Sequence, residues 1–290
     1  MPGPAARSAR DLRWPDLVWS HFSRPRFGQF DERVAAAAKA GYAGIGLFVD
    51  EFARLREEEG RSVAEIRAVL EGAGVVLADI EAARGWWATG GEAHETSRRI
   101  ERLAFEMADE LGARYLQTIG PYECELDQAI EGFAALCDRA AEHGLLVGIE
   151  WLPYTNIANA ADAATIVTAA DRPNGGYCVD IWHHTRGAND IDMIRALDPA
   201  RIFAVQMDDG PLQPVPLDEY KADCLANRVP PGAGEFDCVG FVQLMIEMGV
   251  AAPISVEVCS TELWDAPIDH AALVAADGMR DVLARVSTPA

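Results

Sequence analysis

Four oxygen-bearing side chains stand at or near the ends of short apolar runs: Glu150 in LLVGIEW, Asp180 in GGYCVDIWH, Gln206 in RIFAVQMDD and Glu257 in PISVEVCS. An unpaired charge leaving a hydrophobic strand costs several kcal/mol unless something compensates it. If the runs are neighbouring strands, three acids and an amide face one mouth, and carboxylates that close take up protons or share a cation. A bound dication is the economical answer. The all-oxygen donor set suits Mn²⁺, with Mg²⁺, Co²⁺ or Zn²⁺ as alternatives, and is too poor in nitrogen and sulfur for a structural zinc site. A single acid at a strand end is more often a helix N-cap or a loop ion pair. Four in successive units argue for more than capping.

Other residues fall near this mouth. His183 lies three positions after Asp180, where an imidazole can hold a substrate hydroxyl or move a proton, whereas His184 reads as solvated or supporting. Trp182 is either a pocket wall or core. Arg228 opens NRVPPGAGEFD, a Gly/Pro-rich loop that either brings a guanidinium over the pocket to grip paired oxygens or is a turn with a surface Arg. Glu81, Trp86 and His21 are weaker candidates for substrate contact: Glu81 and His21 end other runs, and Trp86 follows Glu81 in ARGWW. Each has an equally ordinary reading as rim packing or structure.

The elements that must position these groups are legible as alternation. Eight short apolar runs, beginning near 16, 43, 74, 114, 145, 175, 201 and 253, are separated by stretches of helical period such as ETSRRIERLAFEMADELG and LDQAIEGFAALCDRAAEHG. Eight strand–helix units predict a single (β/α)8 barrel of class α/β, one domain over 1–290 with its core at about 15–285, in which the C-terminal ends of the strands carry the chemistry. GYAGIGLF contains a G-x-G, but Gly44 and Gly46 sit inside a strand-like run with no third glycine opening a helix, so they read as packing.

Composition narrows the partners. The chain has 290 residues and a formal charge of −21, a field that disfavours nucleic acid and anionic lipid surfaces and favours a cation. No run of about 18 apolar residues occurs and the N-terminus is too polar for a signal segment, so a soluble, cytoplasmic protein is expected. Six scattered cysteines show no C-x-x-C spacing and read as buried thiols.

The order Glu150, then D-x-x-H at Asp180 and His183, then FAVQMDD, R-x-x-P-G-x-G-E from Arg228 to Glu235, and finally ISVEV resembles the xylose isomerase-like TIM-barrel superfamily of sugar isomerases and epimerases, over about residues 15 to 285. The resemblance implies one divalent metal on Glu150, Asp180, Gln206 and Glu257, with His183 contacting substrate and Arg228 gripping it. A histidine often stands where this chain has Gln206. The glutamine, with VQMDDGP and the P-G-x-G loop, looks more like the 3-dehydroshikimate dehydratase branch, although the histidine that some dehydratases carry soon after the glutamate is missing from EWLP.

Metal-assisted removal of a proton beside a carbonyl, with Glu150 and Glu257 as the opposed bases, serves either branch. Return of the proton to the opposite face gives epimerisation, return to the neighbouring carbon gives isomerisation, and loss of a β-hydroxyl gives dehydration. An isomerase or epimerase of a small polyhydroxylated carbonyl compound is the leading expectation, a dehydratase of a 3-dehydroshikimate or keto-inositol type the second, and a non-catalytic metal-binding barrel the third. A homo-oligomer is the family habit.

Overall fold

The computed structural model describes residues 7–120 and 124–286. Eight parallel strands close into a barrel in sequence order: β1 Leu17–Trp19, β2 Gly44–Phe48, β3 Val76–Ala83, β4 Tyr115–Thr118, β5 Leu146–Glu150, β6 Gly175–Asp180, β7 Ile202–Met207 and β8 Ile254–Val256. β8 pairs with β1 through Leu17 and Ile254, so the sheet has no free edge. Each run read as a strand from the sequence overlaps one. Glu81, Glu150 and Asp180 stay in the ladder, paired with Phe48, Cys178 and Gln206, whereas Glu257 lies just past β8.

The helices between strands are punctuated as local chemistry requires. Ser62 and Glu65 form a capping box at the start of Val63–Ala73, and Gly41, Gly74, Gly112 and Gly249 end their helices in the left-handed region. The helices lay apolar faces such as Val34, Ile66, Leu70, Phe133 and Leu136 on the outside of the barrel, giving the main core, apart from two smaller clusters around Tyr115 and Val18.

Inside the barrel, alternate residues of each strand point to the axis. On β3 these are Asp79 and Glu81, and on β6 Cys178 and Asp180. Register places Asp180 beside Gln206, and Gln206 beside Ser255, while the Glu257 amide bonds to the Met207 carbonyl at 3.0 Å. The polar residues predicted to converge therefore share the uppermost layer. Gly46 has a steric reason to be glycine: a Cβ there would lie 1.8 Å from Glu81 Oε1. That agrees with reading the G-x-G as packing.

A candidate metal and acid–base site at the barrel mouth

Asp180 does two things at once. It caps the short helix Ile181–Thr185, with Oδ1 accepting the His183 backbone N–H at 3.0 Å, while Oδ2 accepts from Arg228 Nη1 at 2.9 Å. The cap explains why the chain turns sharply after β6, and the turn swings His183 back over the mouth. His183 Nε2 lies 3.1 Å from Glu150 Oε1, and its Nδ1 lies 3.0 Å from the Tyr220 hydroxyl. Glu150 Oε2 accepts from Gln117 Nε2 on β4. Glu150, Asp180 and His183 offer ligand atoms within 4.8 Å of one another, and all three are buried.

Glu257 faces the same space with different neighbours. Its Oε1 accepts from Gln206 Nε2 at 2.8 Å and from Ser20 Oγ at 2.8 Å, and its Oε2 lies 3.2 Å from Arg228 Nη1. Gln206 Oε1 accepts from the Cys178 thiol at 3.0 Å, so the amide shows Glu257 its NH₂. An amide ligand would present its oxygen, which needs this side chain turned over.

Arg228 is not a surface residue: it is 2% exposed, and its guanidinium donates to Asp180, Asp208 and Glu257 together. It is the counter-cation of the acid cluster, and one edge of it still borders the mouth. The cluster holds four buried carboxylates, Glu150, Asp180, Asp208 and Glu257, against this one guanidinium. Burial pushes Asp208 and Glu257 well above the usual carboxylate range, with Arg228 opposing the shift, and Asp208 Oδ1 has no hydrogen-bond partner among the described residues. Asp180 is held below its usual value, because Arg228 and His183 outweigh its burial. Surplus negative charge, oxygen-rich donors and an orphaned carboxylate oxygen fit a divalent cation.

A cavity of about 50 Å³ opens above the cluster, bordered by Phe22, Ile119, Leu152, Tyr154 and Leu225 around Glu150, His183, Arg228 and Glu257. Several expected substrate contacts are elsewhere. Trp182 is fully buried beneath the site, beside Phe236 and under the guanidinia of Arg186 and Arg228. Trp86 packs on Phe133 with its indole N–H on the Ile119 carbonyl, and lines a separate cavity of about 310 Å³ on the barrel flank. His21 is buried against Phe48, ring centroids 4.0 Å apart, and burial pushes its pKa well down, so it is neutral. Glu81 accepts from Ser20 Oγ and from the His21 and Phe22 amides, and burial raises it to about 8. It ties the β1 end to β3 beneath the mouth. None of these four side chains borders the cavity at the mouth, and each sits in the packing just described.

The structure adds residues that the sequence reading passed over. Gln117 lies in the strand-like run RYLQTIG, and Ser20, just past β1, continues the alternation from Val18, so inward period-two spacing could have flagged both. Tyr220 lies on the helix Leu217–Ala226, where only tertiary folding reveals its reach to His183. Asp209, just past the end of β7, is a loop staple: its carboxylate accepts the backbone N–H groups of Gly210, Gly232, Gly234 and Phe236 at 2.7–3.0 Å.

A closed (β/α)8 barrel with polar groups gathered at the C-terminal ends of its strands is a TIM barrel. The chain belongs to the xylose isomerase-like TIM-barrel family, whose description matches residues 34–283. It is 28% identical over 263 residues to the 3-dehydroshikimate dehydratase of Pseudomonas aeruginosa, covering 88% of this chain and 40% of that protein. This chain thus spans well under half the length of that relative. It is 26% identical over 160 residues to the inosose isomerase of Bacillus subtilis, covering 54% of this chain and 55% of that one. Among solved structures, the IolI protein with a bound zinc atom superposes with a TM-score of 0.83 at 18% identity, over 94% of this chain and all of that one. A fusion of a xylose isomerase-like TIM barrel with 4-hydroxyphenylpyruvate dioxygenase superposes at 0.78 with 22% identity, over 92% of this chain and 42% of that one. At these identities the superpositions speak to fold.

Proposed function

We propose that this chain is a divalent-metal-dependent enzyme that removes a proton beside the carbonyl of a small polyhydroxylated ring and completes the reaction by dehydration, as a 3-dehydroshikimate dehydratase does. The observation that carries the reading is the buried convergence of Glu150, Asp180 and Glu257 with His183 under an apolar collar. Glu150, Asp180 and Glu257 would hold the ion, Mn²⁺ by preference, with Gln206 joining once its amide turns. When bound, the ion supplies electrophilic polarisation of the carbonyl.

The protein's own groups do the rest. Glu257, drawn toward basicity by burial and steadied by Ser20, takes the proton from the carbon. The same proton is then available to the departing β-hydroxyl, so water leaves and no net proton is consumed. His183 holds a substrate oxygen across from it. Arg228 balances the negative charge that builds up during the step. Support for the dehydration ending comes from Gln206 and from the match to the dehydratases, which runs over most of this chain.

The second reading is isomerisation, in which Glu150 or Glu257 returns the proton to carbon. The matches to inosose isomerases, over about half of the chain, favour it. Incubation with Mn²⁺ and either 3-dehydroshikimate or a keto-inositol separates the two. Dehydration yields ultraviolet absorbance of a conjugated product, and isomerisation yields deuterium uptake from solvent without it. If neither signal arises across a panel of sugars and keto-cyclitols, a non-catalytic metal-binding barrel replaces both.

A further inference from the structure

The end of the barrel opposite the mouth carries a cavity of about 870 Å³, within the size range of small-molecule sites. It lies at the N-terminal ends of the strands: Arg114 directly precedes β4, and Leu146 and Ile202 open β5 and β7. Three arginines line it, Arg10, Arg13 and Arg114. The chain holds 46 acidic residues against 25 lysines and arginines, so a guanidinium without a carboxylate is the exception here. Among the described residues none of these three forms an ion pair. Arg13 Nε donates to the Asp11 carbonyl at 3.2 Å, and Arg114 Nη1 to the Phe203 carbonyl at 3.0 Å. The acids close by are committed elsewhere. Asp16 accepts from Arg7 and from the Arg13 backbone N–H, and Asp11 closes a capping box with Ser8.

Arg114 is the least ordinary of the three. It is 9% exposed, and a guanidinium has five N–H donors, of which one has a partner among the described residues. Burial works against its charge, and Asp79 attracts it from inside the barrel without pairing with it. Arg10 and Arg13 are presented by an ordered segment. The capping box holds the turn Ala9–Asp11, and the Trp14 N–H donates to the Ala251 carbonyl at 3.0 Å, which ties the segment to the barrel base. The Arg10 guanidinium rests on Gly144, where φ is +65° and a Cβ would lie 2.4 Å from Nη2. Apolar wall is supplied by Leu12, Leu146 and Phe203.

We propose that this cavity binds a small organic anion carrying two or more carboxylate or phosphoryl groups, which pair with Arg10, Arg13 and Arg114 while its carbon skeleton lies on Leu12, Leu146 and Phe203. The guanidinium fork matches both kinds of group. Three guanidinia set around a space of this size call for more than one negative group. The overall charge of −21 repels anions at long range, but salt screens that field beyond about 8 Å, so the local arginines decide. The site is independent of the reaction proposed at the mouth.

The test is isothermal titration of citrate and of pyrophosphate into the full chain, stripped of metal so that neither probe acts by chelation, at neutral pH and low salt, with acetate as the singly charged control. Expected is one site with a Kd below about 1 mM for at least one of the two probes, and acetate at least tenfold weaker. Citrate binding alone assigns carboxylates, and pyrophosphate binding alone assigns phosphoryl groups. Arg10 and Arg13 are exposed, so the double variant Arg10→Gln with Arg13→Gln keeps the fold, and it should weaken binding at least tenfold. Arg114→Gln should do the same, and if it does not fold the double variant decides. No binding of either probe at about 10 mM, acetate binding as tightly as the probes, or an unchanged Kd in the double variant overturns the proposal.

Discussion

At the residue scale the site is governed by charge that outnumbers its compensation. Glu257 touches Ser20, Gln206 and Arg228, and burial raises it while Arg228 pulls it back. A group so placed holds its proton until a cation offsets the cost of its ionisation, and the carboxylate so formed can accept a proton from substrate. Glu257→Gln preserves shape and hydrogen-bonding capacity but removes the base, so turnover should fall by about 10²–10⁴-fold with the folded state intact. Steady-state rates on whichever substrate responds, alongside circular dichroism, check this. Activity close to that of wild type would move the base to Glu150. The sequence already pointed to these acids, because a charged residue closing an apolar run is costly unless used. It could not show that Arg228 turns inward to face three of them, since an arginine in a Gly/Pro-rich loop reads equally well as surface.

At the scale of elements, strand ends set direction and loops set reach. The segment from Gly210 to Phe236 has no regular ladder of its own beyond two isolated bridges, Asp209 with Val229 and Asn227 with Ser260, yet it carries both Tyr220 and Arg228. Asp209 organises it by accepting four backbone N–H groups from a fully buried position. Gly234 is required where that carboxylate passes, since a Cβ there would lie 2.4 Å from Asp209 Oδ1. Asp209→Ala leaves several amides without partners, and at about 1–3 kcal/mol for each group left unsatisfied the loss should be at least about 3 kcal/mol. Denaturant midpoints measure it, and a loss under about 1 kcal/mol would mean that water replaces the carboxylate.

At the scale of the whole molecule the barrel buries polar groups at its base as well as its mouth. Asp79 lies inside the barrel near Arg114, and burial raises it from 3.8 to about 6 against the pull of that arginine and of Ser255. Its folded value is above its unfolded one, so its contribution to stability is complete below about 3.8 and is lost as pH rises through about 6. Asp79→Asn should flatten the fall of stability across that window, by at most about 1.4 kcal/mol per pH unit, the limit for one proton. Unfolding free energies at pH 4, 5 and 6 for both proteins make the comparison. An unchanged slope would show that Asp79 ionises freely in the folded chain.

Sequence alone determined the barrel, because eight apolar runs alternating with helical periods leave few ways to bury both faces of the strands and one face of each helix. It also determined which acids gather, because in a closed parallel barrel every strand delivers its last inward residue to the same rim. Only the tertiary structure decided what those acids meet. Arg228 among the carboxylates, Tyr220 on His183, Gln206 turned toward the Cys178 thiol, and Trp86 and Trp182 packed away from the mouth all depend on loop paths and side-chain rotation. Those are set by contacts between residues tens of positions apart, and no local period records them.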